Sequence, residues 1–141
     1  MRLTAEKSLC EEHQKTVVSK DRGTSRRHCA HNPQQKYSVR HYKLDGELVR
    51  QRKCCDYLLT NDTLKKAYFI ELKGGNIDEA VPQLEEGLKL VRSELAGYEF
   101  CFRIVSSKVR TLDLQKTAFR KFKDKWGSRL RYKTDFLEET L

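Results

Sequence analysis

Apolar and polar residues alternate with a period of two over residues 37–43, where Tyr37, Val39 and His41 stand against Ser38, Arg40 and Tyr42. That period predicts a strand. Asp45-Gly46 follows as a hairpin turn signal, and residues 48–60 read as the returning strand, ending in CCDYLL. A turn at residues 61–63 leads into residues 67–72 (AYFIEL), the most apolar strand of the chain and the predicted centre of its sheet, closed by Gly74-Gly75. The period then changes. Ile77, Ala80, Val81, Leu84, Leu88, Val91 and Leu95 form a helical stripe that Asn76 or Asp78 can cap and Gly97 ends, with Pro82 pointing to a later start. Residues 98–106 (YEFCFRIVS) read as a further strand. A second amphipathic helix is predicted over 112–126, with Leu112, Phe119, Phe122 and Trp126 inward and Lys116, Arg120 and Lys123 outward, before a short strand at 129–133. At the other end, Cys10, His13 and Val17, with Leu3 and Glu6, suggest a helix over 4–19. Residues 20–35 hold Gly, Ser, Asn, Pro and three arginines with almost nothing apolar, which predicts a basic loop.

The expected order is therefore α-β-β-β-α-β-α-β, an α/β fold. The hairpin strands are antiparallel, and the long helical crossover between the third and fourth strands requires a parallel pair. The result is a mixed β-sheet flanked by helices, and a length of 141 residues suits one domain.

Composition narrows the classes of function. The 29 Lys and Arg exceed the 20 Asp and Glu, for a net charge of +9, which favours a polyanionic partner, nucleic acid first. No apolar run approaches the ~18–20 residues of a membrane span, so no membrane partner is expected. The start, MRLTAEKSLCEEHQK, lacks the apolar centre of a signal peptide, and a cytoplasmic location with five reduced cysteines is the simplest expectation.

The candidate chemistry sits at strand ends. Asp56 lies near the end of one predicted strand, and Glu71 and Lys73, two apart, project together from the end of the next. Two carboxylates are the minimum protein set for Mg²⁺, which polarises a phosphoryl oxygen and acidifies a bound water. A lysine beside them can hold that water and offset charge developing on a phosphate. The bland alternative is three solvated strand-end charges in structural ion pairs.

CDYLL…YFIELKGG resembles the PD-(D/E)XK nuclease superfamily, the restriction endonuclease-like and Holliday junction resolvase-like proteins. The resemblance covers most of residues 4–106 and departs at Cys55, where proline is usual. It implies that Asp56 and Glu71 bind Mg²⁺ or Mn²⁺, that the Leu72 backbone carbonyl is a further ligand, and that Lys73 assists the water. It also implies a first-helix carboxylate, Glu11 or Glu12, and a glutamine on the following helix, for which Gln83 is the candidate. The activity implied is metal-dependent hydrolysis of nucleic-acid phosphodiester bonds, as a DNA endonuclease. The alternatives are an RNA-directed nuclease (a toxin or phage-defence effector) and an inactive nucleic-acid-binding module. The small size makes a homodimer plausible.

Arg22, Arg26 and Arg27 in the basic loop, and Lys108 and Arg110 after the fourth strand, are the candidate phosphate contacts. His28, Cys29 and His31 with Cys54-Cys55 are zinc-type ligands, but not at zinc-type spacing.

Overall fold

The computed structural model describes residues 2–141. A five-stranded mixed sheet forms its middle layer, in the order β3-β4-β5-β6-β7. The strands are β3 (Val39–Lys43), β4 (Tyr57–Asn61), β5 (Lys66–Lys73), β6 (Glu99–Ser106) and β7 (Leu130–Thr134). β3–β4 and β4–β5 pair antiparallel, whereas β5–β6 and β6–β7 are parallel. A second sheet, β1-β2-β8, comprises β1 (Thr16–Lys20), β2 (Arg27–His31) and β8 (Phe136–Thr140), with β8 parallel to β2.

The two sheets and the helices form three layers. α1 (Ala80–Val91) and α3 (Thr117–Trp126) cover one face of the large sheet, burying Leu58, Ala67, Phe69, Phe102 and Ile104 with Leu84, Leu88, Phe119 and Phe122. The small sheet covers the other face, where Val17, Ala30 and Leu137 meet Leu59, Tyr68, Ile70, Leu72 and Val105. β5 is thus central and buried on both faces, as its near-continuous apolar run predicts. The strand period puts Ala67, Phe69, Glu71 and Lys73 on the helix side.

The N-terminal third departs from its predicted elements. Residues 4–19 contain one 3₁₀ turn, Ala5–Lys7, and then β1 in place of a helix. Val17 and Ser19 are buried while Val18 and Lys20 are exposed, a period of two too short to stand out from a three-to-four spacing in so few residues. The predicted loop at 20–35 contains β2, whose His28, Cys29 and Ala30 are buried. Its buried run His28-Cys29-Ala30 is short and follows neither an alternating nor a helical period, so hydrophobic patterning does not reveal it. The loop itself shrinks to the turn between β1 and β2. The returning strand predicted over 48–60 is regular only in β4, so Asp56 precedes a strand rather than ending one. The second helix breaks into α2 (Thr111–Leu114) and α3, and Leu112, expected inward, is 73% exposed. The order of elements is consequently β-β-β-β-β-α-β-α-α-β-β, with no leading helix.

Candidate active site

The antiparallel pairing of β4 and β5 sets Tyr57 opposite Ile70, so the residues just beyond, Asp56 and Glu71, meet at one end of the sheet. They are joined by reciprocal bonds. The Asp56 amide donates to Glu71 Oε1 at 3.1 Å, and the Leu72 amide donates to Asp56 Oδ2 at 2.9 Å. Lys43, at the end of β3, reaches the remaining oxygen, with Nζ 3.4 Å from Asp56 Oδ1.

α1 lies over this end of the sheet. Gly87 is where it comes closest: a Cβ there would stand 2.5 Å from Cys55 Sγ, next to Asp56. One turn earlier, at i−4 on the same face, Gln83 points at β5. With its amide nitrogen turned toward Glu71, Gln83 donates to both carboxylate oxygens, Oε1 at 3.3 Å, and its own carbonyl accepts from Lys73 Nζ at 3.2 Å. Lys73 Nζ is also 3.7 Å from Glu79 Oε2. Asp56, Glu71, Lys73 and Gln83 therefore form one hydrogen-bonded cluster.

Glu71 is the electrostatically unusual member. It is 3% exposed, and burial first, then the neighbouring Asp56, push its carboxyl up to about 9 against the opposing pull of Lys73. That raised value favours a proton or another cation at Glu71 at neutral pH. The two carboxylates are oxygen donors of the kind a hard divalent ion takes, and in this structure their oxygens accept from the Asp56 and Leu72 amides, Lys43 and Gln83. Among the described residues, no group of three or more His, Cys, Asp or Glu side chains is arranged to hold a metal. Mg²⁺ accepts such a site, since it commonly takes one or two carboxylates and completes its shell with water and substrate phosphate.

The expected first-helix carboxylate is absent from the site. Residues 8–12 run along the edge of β3, with the Leu9 amide bonded to the His41 carbonyl and the Val39 amide to the Glu12 carbonyl. Asp56 adjoins Leu44, five residues further along that strand, so Glu11 and Glu12 lie about 15 Å away at strand spacing. Both are exposed, and Glu12 bonds Ser38 Oγ instead. Without the helix, nothing carries either carboxylate inward.

The basic candidates divide. The turn between β1 and β2 leans over the site: Tyr57 Oη donates to the Lys20 carbonyl at 2.9 Å, and the Arg26 guanidinium lies against Gly74. Arg26 is tied to Asp21 by two bonds of 3.2 and 2.7 Å, which makes it a brace for the turn. Arg22 is exposed on the rim of a cleft that includes Asp56. Arg27 lies apart, 4.3 Å over the Phe136 ring. Lys108 and Arg110 are exposed on the segment after β6, which Ser107 fastens to the end of β5 through the Lys73 and Gly74 carbonyls. Lys43, Lys20, Lys7 and Arg50 also line the Asp56 cleft and escaped the sequence reading. Only the pairing of Lys43 with Tyr57 could have signalled one of them. The zinc-type residues do not assemble: all five cysteines are free, and His28 and His31 bond Glu139 and Glu138 respectively.

In comparisons with protein-family models, curated proteins and solved structures, nothing matches this chain.

Proposed function

We propose that the chain is a divalent-metal-dependent nuclease of the PD-(D/E)XK type, hydrolysing nucleic-acid phosphodiester bonds, with DNA the favoured substrate. The observation that carries this reading is the bonded cluster of Asp56, Glu71, Lys73 and Gln83 at one sheet end. The segment β3-β4-β5-α1-β6 has the strand and helix order of that superfamily's core, and the leading helix is replaced by the β1–β2 hairpin.

Asp56, Glu71 and the Leu72 carbonyl would hold Mg²⁺ or Mn²⁺, which would supply charge neutralisation at the scissile phosphate and a more acidic water. Lys73, linked to Glu71 through Gln83, would hold the attacking water and offset charge on the phosphoryl oxygens. Gln83 bridges Glu71 and Lys73, keeping the carboxylate and the ammonium in fixed relation. Arg22, Lys108 and Arg110 are exposed and would meet flanking phosphates. One cluster acts on one strand, so cutting both strands of a duplex would call for a homodimer.

The test is Mg²⁺-dependent cleavage of circular DNA, linear DNA and RNA by the wild type, Glu71→Gln and Lys73→Ala. Cleavage that disappears with EDTA, and falls by about 100-fold or more in each variant, is expected. Undiminished cleavage by both folded variants overturns the assignment. RNA as the only substrate would transfer the same chemistry to an RNA-directed enzyme, and no cleavage of any substrate would leave a binding module.

A further inference from the structure

The cleft beside Asp56, about 1020 Å³, has a composition that phosphate binding alone does not explain. Four of its cations come from three separate segments, Lys7, Lys20 with Arg22, and Arg50, while a fifth, Lys43, is paired with Asp56. None of these four makes a salt bridge among the described residues, whereas Asp21, the acid beside Arg22, is engaged by Arg26. Glu47 also lines the cleft without a salt bridge among the described residues, so four unpaired cations stand against one unpaired carboxylate and the cleft presents net positive charge to solvent. Between these cations lie apolar groups: Leu9, 61% exposed, with Leu48 and the ring of Tyr57. Tyr57 is held rigidly, stacked on His41 at 5.0 Å with 10° between the planes and bonded through its hydroxyl to Lys20.

We infer that this cleft binds an unpaired nucleotide next to the scissile phosphate, so that the protein selects single-stranded nucleic acid or the single-stranded part of a branched substrate. The inference rests on the nuclease reading for the position of the scissile phosphate. The cations suit the backbone, and exposed Leu9, with the accessible parts of half-buried Leu48 and Tyr57, suits the face of a base. In a duplex each base covers its neighbours' faces, so a paired strand offers these walls only phosphates and groove edges. An unstacked nucleotide would cover Leu9 and the accessible part of Leu48 with its base while its phosphates meet the cations of the same cleft. The cleft is built from the N-terminal segment, the β1–β2 turn and the segment between β3 and β4, so it depends on the part of the chain that replaces the expected helix.

Binding is measured in EDTA, where no metal-dependent cleavage occurs, by fluorescence anisotropy. The probes are labelled thymidine and uridine oligomers of about 12 nucleotides and a blunt DNA duplex of the same length. Single strands are expected to bind about tenfold more tightly than the duplex. Arg22→Ala with Arg50→Ala should lower that affinity about tenfold and flatten its salt dependence by about two phosphate contacts. Leu9→Ser should weaken single strands about fivefold and leave the duplex unchanged, a distinction that a charge effect would not produce. Each variant is checked by circular dichroism, and Leu48→Ala substitutes for Leu9→Ser if the latter unfolds. The thymidine and uridine arms separate DNA from RNA as the source of the nucleotide. Equal affinity for duplex and single strand, or wild-type affinity in the folded variants, overturns the inference. If cleavage still requires Mg²⁺ and Glu71 in that case, the nuclease reading stands and the cleft assignment alone falls. Single-strand preference without any cleavage does the reverse.

Discussion

Glu71 is where sequence, burial and chemistry meet most directly. Its carboxyl is buried, faces Asp56, and sits well above the ordinary carboxylate range, at about 9. A pKa raised on folding contributes stability below the unfolded value near 4.5, and that contribution is lost as pH rises through about 9. Metal-free protein should therefore weaken between these values. Glu71→Gln removes the charge, keeps the shape, and should be more stable than the wild type by about 2–4 kcal/mol near pH 8 in EDTA, with the difference vanishing near pH 4. Thermal melts across that range check this. Mg²⁺ should raise the melting temperature of the wild type and leave the Gln variant unmoved, because a ligand stabilises only what it binds. His41 titrates in the opposite sense. Burial first, and the nearby His28 second, push it down to about 4, so it is neutral inside while its unfolded form protonates near 6.5. Stability should fall by up to about 3 kcal/mol as pH drops from 6.5 to 4, and His41→Phe, which also forgoes the Ser19 hydrogen bond, should flatten that slope.

At the scale of elements, the register of β4 on β5 and the seat of α1 decide whether the cluster exists. The register brings Asp56 to Glu71, and a slip of one residue would turn each side chain to the other face. The seat of α1 depends on Gly87, where a methyl group would collide with Cys55 Sγ. Gly87→Ala should cost about 1–3 kcal/mol in a denaturant titration, despite alanine's better helix propensity. Because Gln83 and Asp56 stand on either side of that contact, the same substitution should lower cleavage without touching any proposed ligand. An unchanged activity would show that α1 is free to shift. The registers of β5 and α1 were legible beforehand because each has many apolar positions in one clear period. β1 and β2 were not, because in five residues each, with Ser19 and His28 buried beside Val17, Cys29 and Ala30, there are too few apolar positions to mark a period.

Across the whole molecule, a buried ionic network joins the two sheets. Arg103 on β6 grips Glu139 on β8 through bonds of 2.7 and 3.0 Å, and His28 on β2 adds a third at 2.6 Å. Glu139 is held down at about 2: burial opposes its ionisation, but the bonds from His28 and Arg103 outweigh it. A depressed carboxylate contributes stability above its unfolded pKa and loses it as pH falls through the folded one, so this network should fail between about pH 4.5 and 2. Glu139→Ala strands a buried arginine and should cost about 3–5 kcal/mol, measured by urea titration near neutral pH. The small sheet carries the turn that Tyr57 pins over the cleft, so the variant should also loosen single-strand binding. No helix among the described residues is long and apolar enough to cross a membrane.

The sequence by itself determined the central strand, the two-residue spacing that sends Glu71 and Lys73 to one face, the helix that follows, and the parallel crossover. These are local properties, written in period and spacing within one or two elements. Only the tertiary structure decided that the first element is a hairpin, that Glu11 and Glu12 stand at the far end of β3, and that Lys43, Lys20 and Arg50 join Asp56 around one cleft. Those facts depend on which distant segments pair, and pairing between short strands with few apolar residues leaves little trace in the pattern of a single chain.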